Sequence, residues 1–450
     1  MKGVFVVGAG PAGMFAARQV ALAGYETFIF NRDIRPGGLA QYGIYPLKTK
    51  MKSGLRKQFD QTLELPNVHY IGHVQIGAAY DLPLAELEAM RPAAIIFASG
   101  AQGAKKLGLP GEELRGVYAA KDYVYNYNEL ESYAGRDFSA NHRIAVVGVG
   151  NVAIDIARWL LLDKPAKHTD SVVIIARRGP LEVKFDKKEI EYVAPHIVRE
   201  ALAEELERVK ERCAKCNQDV SPEKIFAQHF PRLSSPEFAS VPPKLSFRFL
   251  SSPKAFEADD TGRVTRMVVT DNDLVLNADG STSARSTSAS STIDVDTVLF
   301  AIGDKHDPQI GLPMGPDGYA TRPDPDNTGT PGYEVWDPSA SATHPGHFVV
   351  GWARKASTGL AGLARHDGEL GAKKALEYLK DVPDSETWNE TEIRSHLNEK
   401  GIRTVDKEDL ELLNKAEQRE GPVSPPNSFH FREVETMFQA IDGERERESK

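Results

Sequence analysis

The sequence predicts an α/β chain of two Rossmann-like units, the later one inserted into the earlier, followed by a C-terminal extension. Three observations carry that expectation. A glycine-rich motif occurs twice, at residues 8–13 and 148–153, and internal duplication outranks any local signal. Each copy follows an apolar β-run (4–7 and 144–147), opens a helical pattern (14–23 and 153–162) and returns to a second β-run, which makes a βαβ unit. A chain of 450 residues is also longer than one hydrophobic core usually organises.

The elements between these motifs follow from local chemistry. Residues 94–98 form another apolar strand ending in Ser99-Gly100-Ala101, and Pro110-Gly111 mark the turn where the chain crosses into the second unit. That unit is expected to continue through a charged helical segment, 195–212, and three strand-like runs, 244–250, 264–270 and 293–301, forming a small antiparallel excursion. Residues 277–292 contain ADGSTSARSTSASS, side chains too small and polar to pack, so a mobile loop without function is expected there. The Gly-, Pro- and Asp-rich stretch 311–345 reads as a long surface connection back to the first unit, which 348–351 rejoin as a strand. From 383 the tail alternates helical patterns with a Pro-rich break at 421–426 and ends in a charged run, 444–450, expected to fray.

Composition narrows the function. With 41% hydrophobic and 26% charged residues, 37 Gly and 28 Pro, the chain reads as an ordinary globular enzyme rather than a disordered or fibrous protein. No stretch approaches the roughly 20 apolar residues of a membrane helix, and the N-terminus runs straight into a strand and a glycine turn. Neither a membrane span nor a signal peptide is expected. Two cysteines exclude a disulfide framework and point to a reducing, cytoplasmic compartment. The net charge of -9 argues against nucleic acid or an anionic membrane as a partner, because phosphates need a positive face. The 12 histidines show no metal-ligand spacing, so no metal site is expected.

The first motif, Gly8-Ala9-Gly10-Pro11-Ala12-Gly13, supplies a tight turn, close backbone approach to a pyrophosphate, and close helix-strand contact, with the helix N-terminus facing the anion. About 20 residues on, where an acidic residue normally takes the ribose hydroxyls, stands Asn31, which can accept one hydroxyl bond and donate another. The second motif runs Gly148-Val149-Gly150-Asn151-Val152-Ala153, with alanine at the third position. Its second strand, 172–176, ends in Arg177-Arg178-Gly179 instead of a carboxylate. A carboxylate there repels a 2′-phosphate, whereas guanidinium forks bind it, so the second nucleotide is expected to be NADP. One nicotinamide site and one permanently loaded dinucleotide site on a single chain is the layout of a flavoprotein reductase, with FAD as the hydride acceptor.

These residues resemble the adrenodoxin-reductase type of ferredoxin-NADP reductase, within the glutathione-reductase-like flavoproteins. The resemblance rests on GAGPAG, on Pro36-Gly37-Gly38-Leu39 with Tyr42-Gly43, on GVGNVAIDIAR, on Arg177-Arg178-Gly179-Pro180-Leu181, on Gly351-Trp352 with Thr358-Gly359, and on the tail stretch 413–422. It implies that an NADP domain is inserted into the FAD domain: 1–110 and 305–382 for FAD, 111–304 for NADP, 383–450 a helical extension. It further implies flavin contacts at Gly38 and Leu39, a 2′-phosphate grip at Arg177 and Arg178, the NADP turn at Asn151 and Val152, and a carboxylate near the nicotinamide nucleotide at Glu189. Gly351, Trp352, Thr358, Gly359 and Leu360 are placed near isoalloxazine and nicotinamide. The sequence also departs from the family. Lys48, in Pro46-Leu47-Lys48-Thr49, stands where a histidine is usual; Tyr192 replaces the glutamate that pairs with it; and Lys355-Ala356-Ser357 replaces Arg-Gly-Pro. Lys48, Trp352 and Gly359 are the candidate catalytic positions.

The expected partner is a ferredoxin-like iron-sulfur protein. Lys48, Lys50, Lys52, Arg56 and Lys57 form the densest basic stretch near the flavin loop, a candidate docking face for an acidic ferredoxin; solvated helix charges are the plainer reading. Cys213-Ala214-Lys215-Cys216 admits a redox dithiol, but it lies in a charged helical stretch away from the nucleotide turns, where ordinary thiols are expected. The rival functions are a flavin disulfide reductase using that pair, a reductase subunit resembling the small subunit of glutamate synthase, and a non-enzymatic nucleotide-binding module.

Overall fold

A computed structural model describes residues 2–163, 168–235, 237–315, 318–323, 331–355, 361–384, 386–423 and 428–450. By contact density the chain divides into two units. Unit 1 comprises Met1–Ala104, Tyr125–Gly135 and Gly303–Lys450; unit 2 comprises Lys105–Val124 and Arg136–Ile302. The return of Tyr125–Gly135 to unit 1 carries no signal in the sequence.

Unit 1 is built on a seven-stranded sheet, ordered Thr321–Pro323, Pro331–Asp337, Ala342–Val349, Ala94–Phe97, Gly3–Val7, Glu26–Asn31, Val68–Gly72. All neighbours from Ala342–Val349 onward are parallel, and the two remaining pairings are antiparallel. Gly3–Val7 is buried throughout because both faces of its sheet are covered. Alternation along it feeds two cores. Val4 and Val6 join Met14, Phe15 and Val20 of helix Pro11–Leu22 and Leu379 of helix Ala361–Leu379 on one face. Phe5 and Val7 join Phe30, Phe97, Ile310, Ile393 and Leu397 on the other. The stretch expected as a bare connection, 311–345, instead contains three strands, because its β-branched and aromatic residues extend the sheet edge: Val335, for example, is fully buried.

The tail also has more structure than expected. Helices Glu390–Glu399 and Lys407–Glu420 start at capping boxes on Asn389 and Asp406. Val405 exchanges backbone hydrogen bonds of 2.7 and 3.0 Å with Gly72, so the tail covers the outermost parallel strand. The final charged run does not fray. It completes helix Val434–Glu448, where Glu444 is buried and paired with Arg419 and Arg447.

Unit 2 has a five-stranded, all-parallel sheet ordered Val117–Ala119, Thr297–Phe300, His142–Val147, Thr169–Ile175, Lys244–Arg248. A three-stranded antiparallel sheet, Ser251–Ala258, Val264–Leu276 and Thr282–Asp294, lies in the chain between Lys244–Arg248 and Thr297–Phe300. Two expectations are corrected here. The runs beginning at 244 and ending at 301 belong mainly to the parallel sheet, not to the antiparallel excursion. The Ser/Thr-rich segment is not a loop: from Thr282 it forms a strand in register with Val264–Leu276. Its hydroxyls tie it down, Thr287 Oγ1 donating to Asp271 O at 2.9 Å and Ser286 Oγ to Asn272 Oδ1 at 3.2 Å. An edge strand largely open to water needs no apolar face, so its polarity hides its conformation.

Candidate functional site

The strand Gly3–Val7 delivers the chain into the first glycine turn of unit 1. Gly8 adopts φ +109°, and its N–H donates to Phe30 O at 2.7 Å; a Cβ here lies 2.6 Å from Ala98 O. A Cβ on Gly13 falls 1.9 Å from Gly8 O, so the helix starts directly against the strand end. Gly10 is the N-cap, Pro11 occupies the first helical position where no N–H is needed, and among the described residues nothing lies within 4 Å of the Gly10 Cβ position. The helix N-terminus thus presents free donors to an open cradle.

The next loop closes on this turn. Gly37 N donates to Ala9 O at 2.8 Å, and Gly38, at φ +48°, places its Cβ position 3.2 Å from Gly10 Cα. Leu39 opens the short helix Leu39–Tyr42 beyond it. Asn31 is 6% exposed and committed to the protein: Oδ1 accepts from Ala9 N at 3.0 Å, while Nδ2 lies 2.8, 3.1 and 3.0 Å from Asp33 O, Arg35 O and Tyr70 Oη. It braces the glycine turn, where the sequence suggested a ribose contact.

The late part of unit 1 returns to the same helix start. A Cβ on Gly351 lies 2.6 Å from Ala12 Cβ, and Gly351 N donates to Asp367 Oδ2 at 2.6 Å. Arg354 pairs with Asp367 and lies 4.2 Å over the Tyr333 ring. Trp352 has a buried indole Nε1 with no hydrogen-bond partner among the described residues, and its carbonyl accepts from His306 Nε2 at 2.7 Å. Thr358, Gly359 and Leu360 lie outside the described residues. Lys48 is half-buried at the N-cap of helix Thr49–Leu63, its N–H donating to Tyr45 O at 3.0 Å. Residues 8–13, 37–38 and 351 are therefore brought together. His306, Asp367 and Tyr70 support them, and none stands within a recognisable motif.

The second turn, in unit 2, repeats the geometry. Gly148 has φ +124°, its Cβ position is 2.2 Å from Ala301 O, and the space beside Gly150, the N-cap of helix Asn151–Arg158, is again open. Val152 is exposed at this helix start. Asn151 brackets Asp186, its Nδ2 donating to Oδ2 at 2.8 Å and its Oδ1 accepting from Asp186 N at 2.7 Å. Glu189 follows in the first turn of helix Lys187–Val193. The two arginines after strand Thr169–Ile175 differ: Arg177 is exposed, whereas Arg178 is half-buried and donates to Thr282 O at 3.2 Å. Asn272 Nδ2 holds the Arg177 carbonyl at 2.8 Å. The Ser/Thr-rich strand thus supports the arginine loop, a role its composition concealed.

Two further candidates change. In the basic stretch Lys50 and Lys57 are exposed, but Lys52 is 3% exposed and donates to Asn128 Oδ1 at 2.8 Å, while Arg56 Nε donates to Gln41 Oε1 at 2.7 Å. Lys52 is withdrawn from any docking face. Both cysteines are buried and unbridged; burial pushes the Cys213 thiol up to about 12, with the Glu182 charge adding to it, and Cys216 Sγ donates to Leu274 O. A thiol so disposed supplies no thiolate for disulfide exchange. Among the described residues no cluster suits a metal ion, and no helix is long and apolar enough to cross a membrane.

Residues 2–209 match the family model described as pyridine nucleotide-disulphide oxidoreductase. The chain is 30% identical over 414 residues to the NADPH-ferredoxin reductase FprA of Mycobacterium leprae, covering 86% of each protein. It is 26% identical to the mitochondrial NADPH:adrenodoxin oxidoreductase of Bos taurus, over 94% of this chain and 88% of that one. The solved structure of FprA from Mycobacterium tuberculosis superposes with a TM-score of 0.79 at 24% identity, covering 98% of this chain and 100% of that one, which is a likeness of fold. With two glycine turns, a flavoprotein-like loop over the first and arginines after the second, the chain belongs to the NADPH-ferredoxin reductases of the adrenodoxin-reductase type.

Proposed function

We infer that the chain is an FAD-dependent oxidoreductase passing electrons from NADPH to a ferredoxin-like iron-sulfur protein. The observation that carries this reading is the pair of open helix N-termini at Gly10 and Gly150, of which only the second is followed by an arginine pair. The names of the relatives, reductases of ferredoxin and of adrenodoxin, agree with it. FAD belongs to the parts of the chain at 1–110 and 305–382, and NADP to 111–304.

The residues present suit both groups. The space at Gly10 suits the close approach of a pyrophosphate, and the N–H groups after Pro11 would stabilise its charge. Gly38, Leu39 and Gly351 border the cradle, and Trp352 Nε1, without a partner among the described residues, is a donor for a bound group. Gly148, Gly150, Asn151 and Val152 form the corresponding cradle for NADP. Arg177 supplies the exposed fork for a 2′-phosphate, and Arg178, fixed to Thr282, supplies a second positive charge. FAD, when held there, would supply hydride acceptance with single-electron release, the chemistry that joins a two-electron donor to a one-electron acceptor. Glu189 and the 358–360 segment match positions that the family pattern gives to the nicotinamide and flavin surroundings, and Lys48 stands where that pattern has a histidine. Lys50 and Lys57 offer the exposed positive charge for an acidic partner. A reducing, cytoplasmic setting suits the two free thiols.

The test is reduction of a purified ferredoxin by NADPH in the presence of the full chain, with glutathione disulfide and dithionitrobenzoate as competing acceptors. Ferredoxin turnover supports the reading. Turnover of disulfides alone, lost on replacing both cysteines by serine, transfers the chain to the disulfide reductases.

A further inference from the structure

We propose that the C-terminal strap formed by residues 428–433 with helix Lys407–Glu420 fastens the loop over the first glycine turn through Arg35, so that the tail sets how tightly FAD is held. The proposal rests on the assignment of FAD to that turn.

Arg35 lies in the middle of the loop that closes on the cradle. Its carbonyl receives Asn31 Nδ2, and two residues on, Gly37 and Gly38 touch Ala9 and Gly10. Its side chain points the opposite way, into the tail. The residue is only 6% exposed. Nη2 donates to Glu417 Oε1 at 2.6 Å, Nη1 donates to Phe431 O at 3.1 Å and lies 2.9 Å from Met437 Sδ, and the guanidinium carbon is 3.9 Å from the Phe429 ring centroid. Glu417 is itself held by the strap, accepting from His430 N at 2.8 Å and, through its other oxygen, from Phe431 N at 3.2 Å.

A second arginine uses the same ring. Arg56 lies 4.9 Å from the Phe429 centroid and donates to Gln41 in helix Leu39–Tyr42, the far end of the loop. The Tyr125–Gly135 segment closes the remaining side: Glu131 Oε1 accepts from Ile34 N at 2.7 Å, and Glu129 pairs with Arg432 of the strap at 3.0 Å. A guanidinium that lies over a ring while its N–H groups donate to a carboxylate and a carbonyl uses its planar fork, which a lysine cannot reproduce. Whether the strap lets go or the guanidinium is removed, the loop loses its ion pair, its carbonyl contact and its ring contact with the tail, and the middle of the loop is no longer tied down. Since that loop carries Gly37 and Gly38, the loss is felt at the cradle. Arg35, Phe429 and Glu417 are positioning residues in this account.

The test compares full-length wild type with Phe429→Ala, Glu417→Gln, Arg35→Lys and Arg35→Met. FAD affinity is read by quenching of flavin fluorescence, the flavin environment by its visible absorption envelope, and folding by NADP+ affinity and thermal unfolding of the FAD-free protein. Phe429→Ala deletes only the ring and keeps the ion pair, so it remains informative should Arg35→Met fail to fold. The proposal expects variants that still bind NADP+ to release FAD with a dissociation constant raised at least about tenfold. It also expects an altered flavin envelope, with Arg35→Lys intermediate between wild type and Arg35→Met. Variants that lose thermal stability but keep FAD affinity and an unchanged envelope overturn it while a yellow wild type leaves the FAD assignment standing. A wild type that refuses added FAD overturns that assignment and this proposal with it.

Discussion

Replacing Lys52 by methionine isolates the energetic consequence of burying an amine beside the flavin loop. Its side chain is 3% exposed, with Nζ held by Asn128 Oδ1. Burial, reinforced by the neighbouring Arg56 charge and opposed by Glu129, brings the amine down from 10.5 to about 7. The unfolded chain keeps this proton up to the ordinary value, whereas the folded chain gives it up near neutrality. Between about pH 7 and 10.5 the unfolded state therefore binds more protons, and this group makes the folded state more stable as pH rises. At about 1.4 kcal/mol per pH unit the window corresponds to on the order of 4–5 kcal/mol. Below it, the folded protein bears the full cost of a buried charge. Methionine has a similar length and no charge, so Lys52→Met escapes that cost and loses only the bond to Asn128, about 1 kcal/mol. The variant is expected to be more stable than wild type by a few kcal/mol near pH 7, with the advantage vanishing and then reversing as pH approaches 10.5. Urea unfolding of both proteins across this range gives the difference directly. A difference that stays constant with pH refutes the buried, depressed amine.

The other expectations concern the two nucleotides and the partner. Arg177→Ala is expected to raise the KM for NADPH about 10- to 100-fold, as befits loss of one charge-assisted contact of about 1.5–3 kcal/mol, and to leave NADH kinetics unchanged; equal losses with both nucleotides contradict the 2′-phosphate role. Lys50→Glu with Lys57→Glu, both exposed, is expected to slow ferredoxin reduction at low salt and flatten its salt dependence while sparing ferricyanide reduction in stopped-flow assays. Gly13→Ala drives a methyl to 1.9 Å from Gly8 O, and the variant is expected to purify with little or no FAD, measured by the flavin-to-protein absorbance ratio. Replacing Cys213 and Cys216 together by serine is expected to leave the NADPH-dependent ferredoxin rate unchanged, apart from stability lost by placing hydroxyls in a buried site.

Much of this molecule was legible in its sequence because each glycine turn has a fixed place in a βαβ unit, between the first strand and the helix. Gly13 meets Gly8 five positions back, and although Gly8 and Gly148 meet the remote strand ends at Ala98 and Ala301, the spacing of the motif alone reports them. Arg177 was legible for a similar reason, since strand length fixes where the chain must turn. What escaped depends on partners remote in sequence. Asn31 occupies the ribose-binding position of the motif yet braces Ala9 and Tyr70, and no local pattern distinguishes those uses. Arg35 and Glu417 lie 382 positions apart, and the resemblance that covers Glu417 in 413–422 gave it no partner. Lys52 looked like its neighbours Lys50 and Lys57, but a helical turn puts it against Asn128, while theirs face water. The Ser/Thr-rich strand was missed because composition reports burial, and an exposed edge strand needs none.

The central claim is that one chain holds FAD in the cradle at Gly10 and draws electrons from NADPH bound at Gly150. Anaerobic titration of the purified protein with NADPH, followed by visible absorption, tests it most directly. The account predicts a yellow protein bleached stoichiometrically by NADPH, far less readily by NADH, and recoloured on adding oxidised ferredoxin. A protein that takes up flavin but is bleached equally by both nucleotides, or by neither, contradicts it.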